Sequence, residues 1–167
     1  MTKDLKISFP PITSAEIEVL ILGSIPGDRS ISENEYYGHP QNRFWRMLTT
    51  ITGSEIPNSY REKKEILLKH KIGLWDVAHK AVRPGSMDSD IRNAEPNGIP
   101  EFISQHPHLK SIGFNGRKAE ALFDQFFDRK PEIIYHSLPS TSPANARITF
   151  EQLCDRWKVL FHQQIQP

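Results

Sequence analysis

"EVLILG", Glu18–Gly23, running directly into "SIPGDRSISENEYYGHPQNRFW", Ser24–Trp45, decides how this chain is read. Val19 to Leu22 form an unbroken apolar run, the pattern of a strand buried on both faces. The residues after it, Gly23 to Trp45, carry three glycines, two prolines, paired tyrosines, a histidine and two asparagines. A helical pattern then begins, with Phe44, Met47, Leu48 and Ile51 at one-face spacing and Gly53 as a stop. A strand feeding a polar, aromatic connection and then a helix is the opening of an α/β fold.

Three further strand-like runs lie downstream: "IGLWDVAH" (Ile72–His79), "LKSIGFNG" (Leu109–Gly116) and "EIIYHSLP" (Glu132–Pro139). Helical stripes separate them. Ser59–His70 reads as a charged surface helix; Ile99, Phe102 and Ile103 form a short stripe; Ala119, Leu122, Phe123 and Phe126 form another. In the last segment Thr149 and Gln152 have capping-box spacing, and Phe150, Leu153, Trp157, Leu160 and Phe161 supply an apolar face. Alternating strands and helices predict a single α/β domain over 1–167 with a short, mainly parallel sheet of about four strands. Ligands of such sheets sit beyond the carboxyl ends of the strands. Four loops should therefore meet there: the one from Gly23, the stretch after Val77, "NGRK" after Phe114, and "LPSTSPANAR" after His136.

Composition excludes more than it selects. The 167 residues are 37% hydrophobic and 25% charged with a net charge of +1, so bulk charge announces no nucleic-acid partner. An enzyme gripping a few phosphates needs only a local basic surface. No apolar stretch approaches the roughly 18–20 residues that span a bilayer. "MTKDLKISFPP" lacks the apolar core of a signal peptide, making a cytoplasmic location the expectation. The single cysteine, Cys154, rules out an internal disulfide and reads as a buried small hydrophobe. The seven histidines show no HExxH spacing and no His/Cys ligand set, so neither a metal nor a cofactor is expected.

"GSIPG" is neither a phosphate-binding Walker loop nor a dinucleotide fingerprint. Gly23 and Gly27 permit close backbone approach to a flat ligand, and Pro26 stiffens the turn. Tyr36 and Tyr37 suit stacking on a nucleobase or packing on the rim of the core. Asn42, just before the helix, can cap it or hold a water or a base edge, because an amide both donates and accepts. "LPSTSPANAR" is a proline-braced hydroxyl loop able to grip phosphates or enter a duplex groove, with Arg147, Arg117 and Lys118 as candidate phosphate contacts.

Together these loops resemble the uracil-DNA glycosylase superfamily. "HP-x-NRFW" is similar to the mismatch-specific uracil/thymine-DNA glycosylases. The Ser of "GSIPG", the "GLWDV" strand, "RPGSMDSDI" (Arg83–Ile91) and "PSTSPAN" are closer to the hypoxanthine-DNA glycosylase branch. The resemblance runs from about Val19 to Trp157. It implies a three-layer α/β/α sandwich and metal-free hydrolysis of the N-glycosidic bond of a deaminated base in DNA, such as hypoxanthine, uracil or xanthine. A monomer suffices for that chemistry, and the implied partner is DNA containing such a base, with no membrane.

By the same resemblance Asn42 is the principal catalytic amide. Ile25 stands where mismatch-specific enzymes carry a water-positioning Asn. Ser24 replaces a pocket residue and faces base or sugar, so it joins Asn42 as a catalytic candidate. Gly23, Ile25, Gly27, Tyr37 and His39 line the base site: Tyr37 stacks on the flipped base, and Gly27 leaves room where strict uracil enzymes place a Tyr. Ser140, Thr141, Ser142, Pro143, Ala144, Asn145 and Arg147 contact DNA. The alternatives are a mismatch-directed uracil glycosylase, a non-catalytic binder of damaged DNA that keeps the fold, and a nucleoside hydrolase, which the groove-gripping loop disfavours.

Overall fold

The structure, a computed structural model, describes residues 4–165, with side chains described from 4 to 161. Its core is a four-stranded parallel sheet built from β2 (Val19–Gly23), β3 (Ile72–Asp76), β6 (Ser111–Asn115) and β7 (Ile134–Leu138), in the order β3-β2-β6-β7. All five residues of β2 and of β6 are buried, which explains their continuous apolar runs: both strands are central and covered on both faces.

Alternation along β2 divides the interior in two. Val19 and Ile21 face helices α2 (Phe44–Thr52), α3 (Tyr60–Lys69) and α6 (Phe150–Ile165), in a core with Phe44, Leu67, Trp157 and Phe161. Leu20 and Leu22 face α4 (Ile99–Ser104) and α5 (Arg117–Phe126), in a core with Phe102, Phe114 and Phe123. Helices thus cover both faces, giving the three-layer architecture. The capping box of α6 is present: Gln152 N–H donates to Thr149 Oγ1 at 3.1 Å, and Thr149 N–H donates to Gln152 Oε1 at 2.9 Å. A Cβ on Gly113 would sit 2.7 Å from Leu160 Cδ2, so glycine there lets α6 lie close on the sheet.

Three elements go beyond the expected pattern. The Ile72–His79 run is two strands, breaking at Val77, whose N–H turns to the carbonyl of Gly23 at 2.8 Å. The second piece, β4 (Ala78–Val82), pairs antiparallel with β1 (Leu5–Ile7) and β5 (Arg92–Pro96) in a small separate sheet. Within the long Gly23–Trp45 connection lies a six-residue helix, α1 (Asp28–Glu33), ended by Asn34 in the left-handed region at φ 56°. Lys6 of β1 bonds Asp28 of α1, which ties the small sheet to the post-strand loop. No helix among the described residues is long and apolar enough to cross a membrane.

Candidate active site

The carboxyl ends of the four parallel strands open into one cleft of about 1050 Å³. Three of the predicted loops line it, Gly23–Gly27, Asn115–Lys118 and Leu138–Asn145; the stretch directly after Val77 is instead strand β4, and the wall on that side is Ser86–Ser89 beyond it. Strand register alone places Gly23 opposite Asp76 at its floor. The rim carries Arg29, Arg117, Lys118 and Arg156, a local cationic edge on a chain of net charge +1.

Buried tryptophans hold the loops in place. Trp45 Nε1–H donates to the carbonyl of Tyr36 at 2.8 Å, and Trp157 Nε1–H donates to that of Pro139 at 2.9 Å. Burying an indole requires a partner for its N–H, and loop carbonyls serve here. Arg43 clamps the two distant loops together, its guanidinium donating to the carbonyls of Ile148 at 2.7 Å and Asn145 at 2.9 Å. Its own N–H donates to the carbonyl of Thr141 at 3.1 Å.

Asn42 lines this cleft, half-buried at the start of α2. Its Oδ1 accepts the Phe44 N–H at 2.9 Å, so from one residue before the N-cap, Arg43, it satisfies the first amide of α2. A carbonyl oxygen has two acceptor sites, and the Nδ2 donor makes no hydrogen bond among the described residues. Capping therefore orients the amide and leaves one acceptor site and two N–H groups for a ligand.

Tyr37 also lines the cleft, with its ring stacked on Phe44 at 4.3 Å between centroids and 28° between planes. Its backbone has φ 53°, a left-handed conformation costly for an aromatic residue, and such strain concentrates at functional sites. Tyr36 is structural: it is buried, and its hydroxyl donates to the carbonyl of Pro10 at 2.8 Å.

The other expected residues divide. Ser24 Oγ donates to Asp88 Oδ1 at 2.8 Å, on the far wall of the cleft. Ile25 turns its side chain into the Leu20–Phe114 core and offers only backbone, its carbonyl accepting from Arg83 at 2.9 Å. The space in front of Gly27 is not open. A Cβ there would lie 2.9 Å from Ser86 Oγ, so the glycine admits the Ser86 loop rather than enlarging the pocket. His39 is an exposed rim residue, its Nδ1 accepting the Gln41 N–H at 3.1 Å. Ser140, Thr141, Ser142, Pro143, Ala144 and Asn145 all line the cleft, whereas Arg147 lies in a shallow groove beside it, with Arg156 and Gln152.

Asn115 ties the Ser140–Asn145 loop to β6. Its Nδ2 donates to Thr141 Oγ1 at 3.0 Å, and its Oδ1 accepts the Thr141 N–H at 3.0 Å. Asn145 Nδ2 donates to the carbonyl of Ser140 at 3.0 Å, closing the loop on itself. Thr141 is fully buried, so removing its partner leaves polar groups unsatisfied. Asn115→Ala is expected to cost about 1–3 kcal/mol. Amide exchange across 140–145 should accelerate and affinity for duplex DNA should fall; unchanged exchange in that loop would show that Asn115 does not hold it.

Sequence reasoning missed the floor of the cleft. Asp76 is 4% exposed, and burial pushes its carboxyl up to about 7, with Asp88 adding to the shift and Arg83 opposing it. Arg83 is 2% exposed and forks between the Ile25 carbonyl and Asp88 Oδ1, at 2.9 and 3.2 Å. Burial, and then the Asp76 charge, raise the Tyr37 phenol well above its ordinary value. The signals were present as an acid at the end of "GLWD" and an arginine before "PGSMDSD". Neither spacing separates a buried residue from an ordinary turn residue.

Residues 10–161 match the family described as the uracil DNA glycosylase superfamily. That is nearly the whole of the described chain, and it includes every loop of the cleft. The chain belongs to the uracil DNA glycosylase superfamily. It is 38% identical over 162 residues to a hypoxanthine DNA glycosylase of Methanosarcina acetivorans, covering 94% of this chain and 98% of that protein. Against a hypoxanthine DNA glycosylase of Methanosarcina barkeri it is 44% identical over 115 residues, 68% of this chain and 73% of the other. Its fold matches a solution NMR structure from Methanosarcina acetivorans, named as a candidate uracil DNA glycosylase, with a TM-score of 0.82 at 36% identity. That match covers 97% of this chain and 99% of the other. Of the "GSIPG" loop, Ser24 reaches the cleft with a polar side chain while the Ile25 side chain packs into the core, and Asn42 lines the same cleft. No group of three or more His, Cys, Asp or Glu able to hold a metal is found among the described residues.

Proposed function

We propose that this DNA glycosylase releases hypoxanthine from DNA, with Asn42 as the catalytic amide. One observation carries the reading: Ile25 is turned into the core while Asn42, its oxygen anchored on Phe44 N–H, keeps donors free in the cleft. The likeness to two hypoxanthine DNA glycosylases, one across 94% of this chain, supports the choice of base.

The target nucleotide leaves the duplex at a cost of a few kcal/mol, least at a mismatch. Tyr37, backed by Phe44, offers the base a stacking surface. The cationic rim and the Ser140–Asn145 loop hold the backbone on either side. As the C1′–N9 bond breaks, its electron pair leaves with the purine and the sugar gains oxocarbenium character. Water oxygen then bonds C1′, and one of its protons ends on the purine. An amide cannot remove that proton strongly, so Asn42 contributes by holding the water in line, which is positioning rather than basicity. Fixed donors aimed at developing charge give the larger share of such rate enhancements.

The test is single-turnover cleavage of duplexes bearing one deoxyinosine, deoxyuridine or deoxyxanthosine, with alkali to cut abasic sites. The inosine strand should be cut fastest. Faster cutting of the uridine strand, above all opposite guanine, would replace this reading with the mismatch-directed one.

A further inference from the structure

A single exposed apolar side chain is ordinary on a protein surface. Met87 is distinguished by where it stands and how it is mounted. Of the large hydrophobic side chains exposed among the described residues, it alone lines the cleft, with 52% exposure.

The turn that carries it is braced on both sides. Pro84 stiffens the approach, and Gly85 turns in the left-handed region at φ 83°. Ser86 Oγ then accepts the Asp28 N–H at 3.0 Å. Beyond Met87, Asp88 Oδ1 accepts from Ser24 Oγ at 2.8 Å and from Arg83 at 3.2 Å. The Met87 carbonyl accepts the Asp90 N–H at 3.1 Å. A guanidinium that is 2% exposed helps to hold this tip, and burying such a charge is costly unless it is paired. The backbone is fixed while the thioether chain reaches solvent.

The opposite wall has no such chain. The Ser140–Asn145 loop presents hydroxyls, Pro143 and Ala144, with Thr141 fully buried and Asn145 Nδ2 turned back onto the Ser140 carbonyl at 3.0 Å. Those groups suit a sugar-phosphate backbone, but none is a long apolar side chain. Asn115, which ties that loop, ends β6; Ser24, which ties the Met87 turn, follows β2. β2 and β6 are neighbours, so the two walls flank the same opening. DNA laid across it meets small polar groups on one side and a methionine on the other.

Extruding a nucleotide leaves a gap in the base stack, and an apolar side chain entering between base steps offsets the lost stacking. Methionine suits an irregular gap, being unbranched, flexible and polarizable against aromatic edges. We propose that Met87 is the wedge of this enzyme: it enters the duplex beside the target nucleotide and fills the gap while the base lies in the cleft. It acts on extrusion and not on the glycosidic bond. The inference goes beyond the choice of base and requires only that a base leave the duplex, so it does not rest on hypoxanthine as the substrate.

The experiment measures single-turnover base release by wild type, Met87→Ala and Met87→Leu from one inosine strand, alone and paired with cytosine opposite the lesion. A single strand has no pair to open, so a wedge matters less there. Met87→Ala should slow release from the duplex about tenfold more than release from the single strand. Met87→Leu keeps apolar bulk and should stay within a few-fold of wild type on both. A second readout needs no cleavage. In a duplex carrying 2-aminopurine beside a non-hydrolysable 2′-fluoro-deoxyinosine, binding by wild type or Met87→Leu should raise the 2-aminopurine emission as the stack opens. Binding by Met87→Ala should raise it less. Melting curves check that both variants fold.

Equal slowing on both substrates overturns the inference, because Met87 then acts on the nucleotide itself and not on the stack. So does the absence of any slowing, a Met87→Leu no better than Met87→Ala, or an equal rise in emission with all three proteins. If only a uridine or xanthosine duplex is cut, the same comparison on that base decides Met87, and the hypoxanthine reading falls alone. Release of hypoxanthine with no contrast between the variants removes Met87 and leaves that reading standing.

Discussion

Asn42→Ala is expected to lower single-turnover base release by about 10²–10³-fold, the usual cost of removing one preorganised polar group from a reacting centre. The fold should lose only about 1 kcal/mol, the typical contribution of a helix cap. These two effects can be separated because the Asn42 side chain does two jobs. Its Oδ1 holds Phe44 N–H at 2.9 Å, and its remaining hydrogen-bonding capacity faces the cleft. Asn42→Asp keeps the cap, and its charge suits a helix N-terminus, so stability should hold. It loses both amide donors and places negative charge in the site. Single-turnover rates beside melting curves make the distinction. If alanine costs stability and no rate, Asn42 is a cap and nothing more.

Arg83→Leu is expected to cost about 2–4 kcal/mol, less than the full loss of a buried pair because Asp88 is 41% exposed. On a chain of 167 residues that is a fall in melting temperature of about 4–16 °C. The guanidinium is nearly sealed from water and joins the Ile25 carbonyl of one cleft wall to Asp88 of the other. Its removal leaves the two walls joined only by the Ser24–Asp88 and Asp28–Ser86 hydrogen bonds among those described, and leaves Asp76 without its opposing cation. Lysine should not rescue the variant, since one ammonium cannot reproduce the forked contact. A melting temperature within about 2 °C of wild type would show that the two walls are held by other means.

The four parallel strands, the five helical stripes and the edge on which the loops meet were legible because burial writes itself as period. β2 and β6 are covered on both faces and read as unbroken apolar runs; α2 and α5 have one buried face and read as stripes. β5, "RNAEP", left no such mark, because none of its residues is fully buried and its pairing with β4 is irregular. The helix at Asp28–Glu33 is too short to show a stripe, and its one buried residue is Ser30.

The site divides along the same line. Asn42, Tyr37 and the Ser140–Asn145 loop announce themselves by residue type within recognisable motifs. Asp76 and Arg83 do not, because charged residues are rarely buried unless paired and sequence position carries no record of desolvation. Gly27 illustrates the converse. Its missing side chain reads as pocket volume, yet the structure gives that volume to Ser86.

This cleft hydrolyses the bond between a deaminated base and its deoxyribose. The most direct measurement incubates wild-type protein with a duplex carrying one deoxyinosine, then identifies the small-molecule product by chromatography and mass and treats the DNA with alkali. Free hypoxanthine should appear in amounts matching the alkali-cut strands, with intact strands before alkali. No free base, or strand scission without base release, would contradict it.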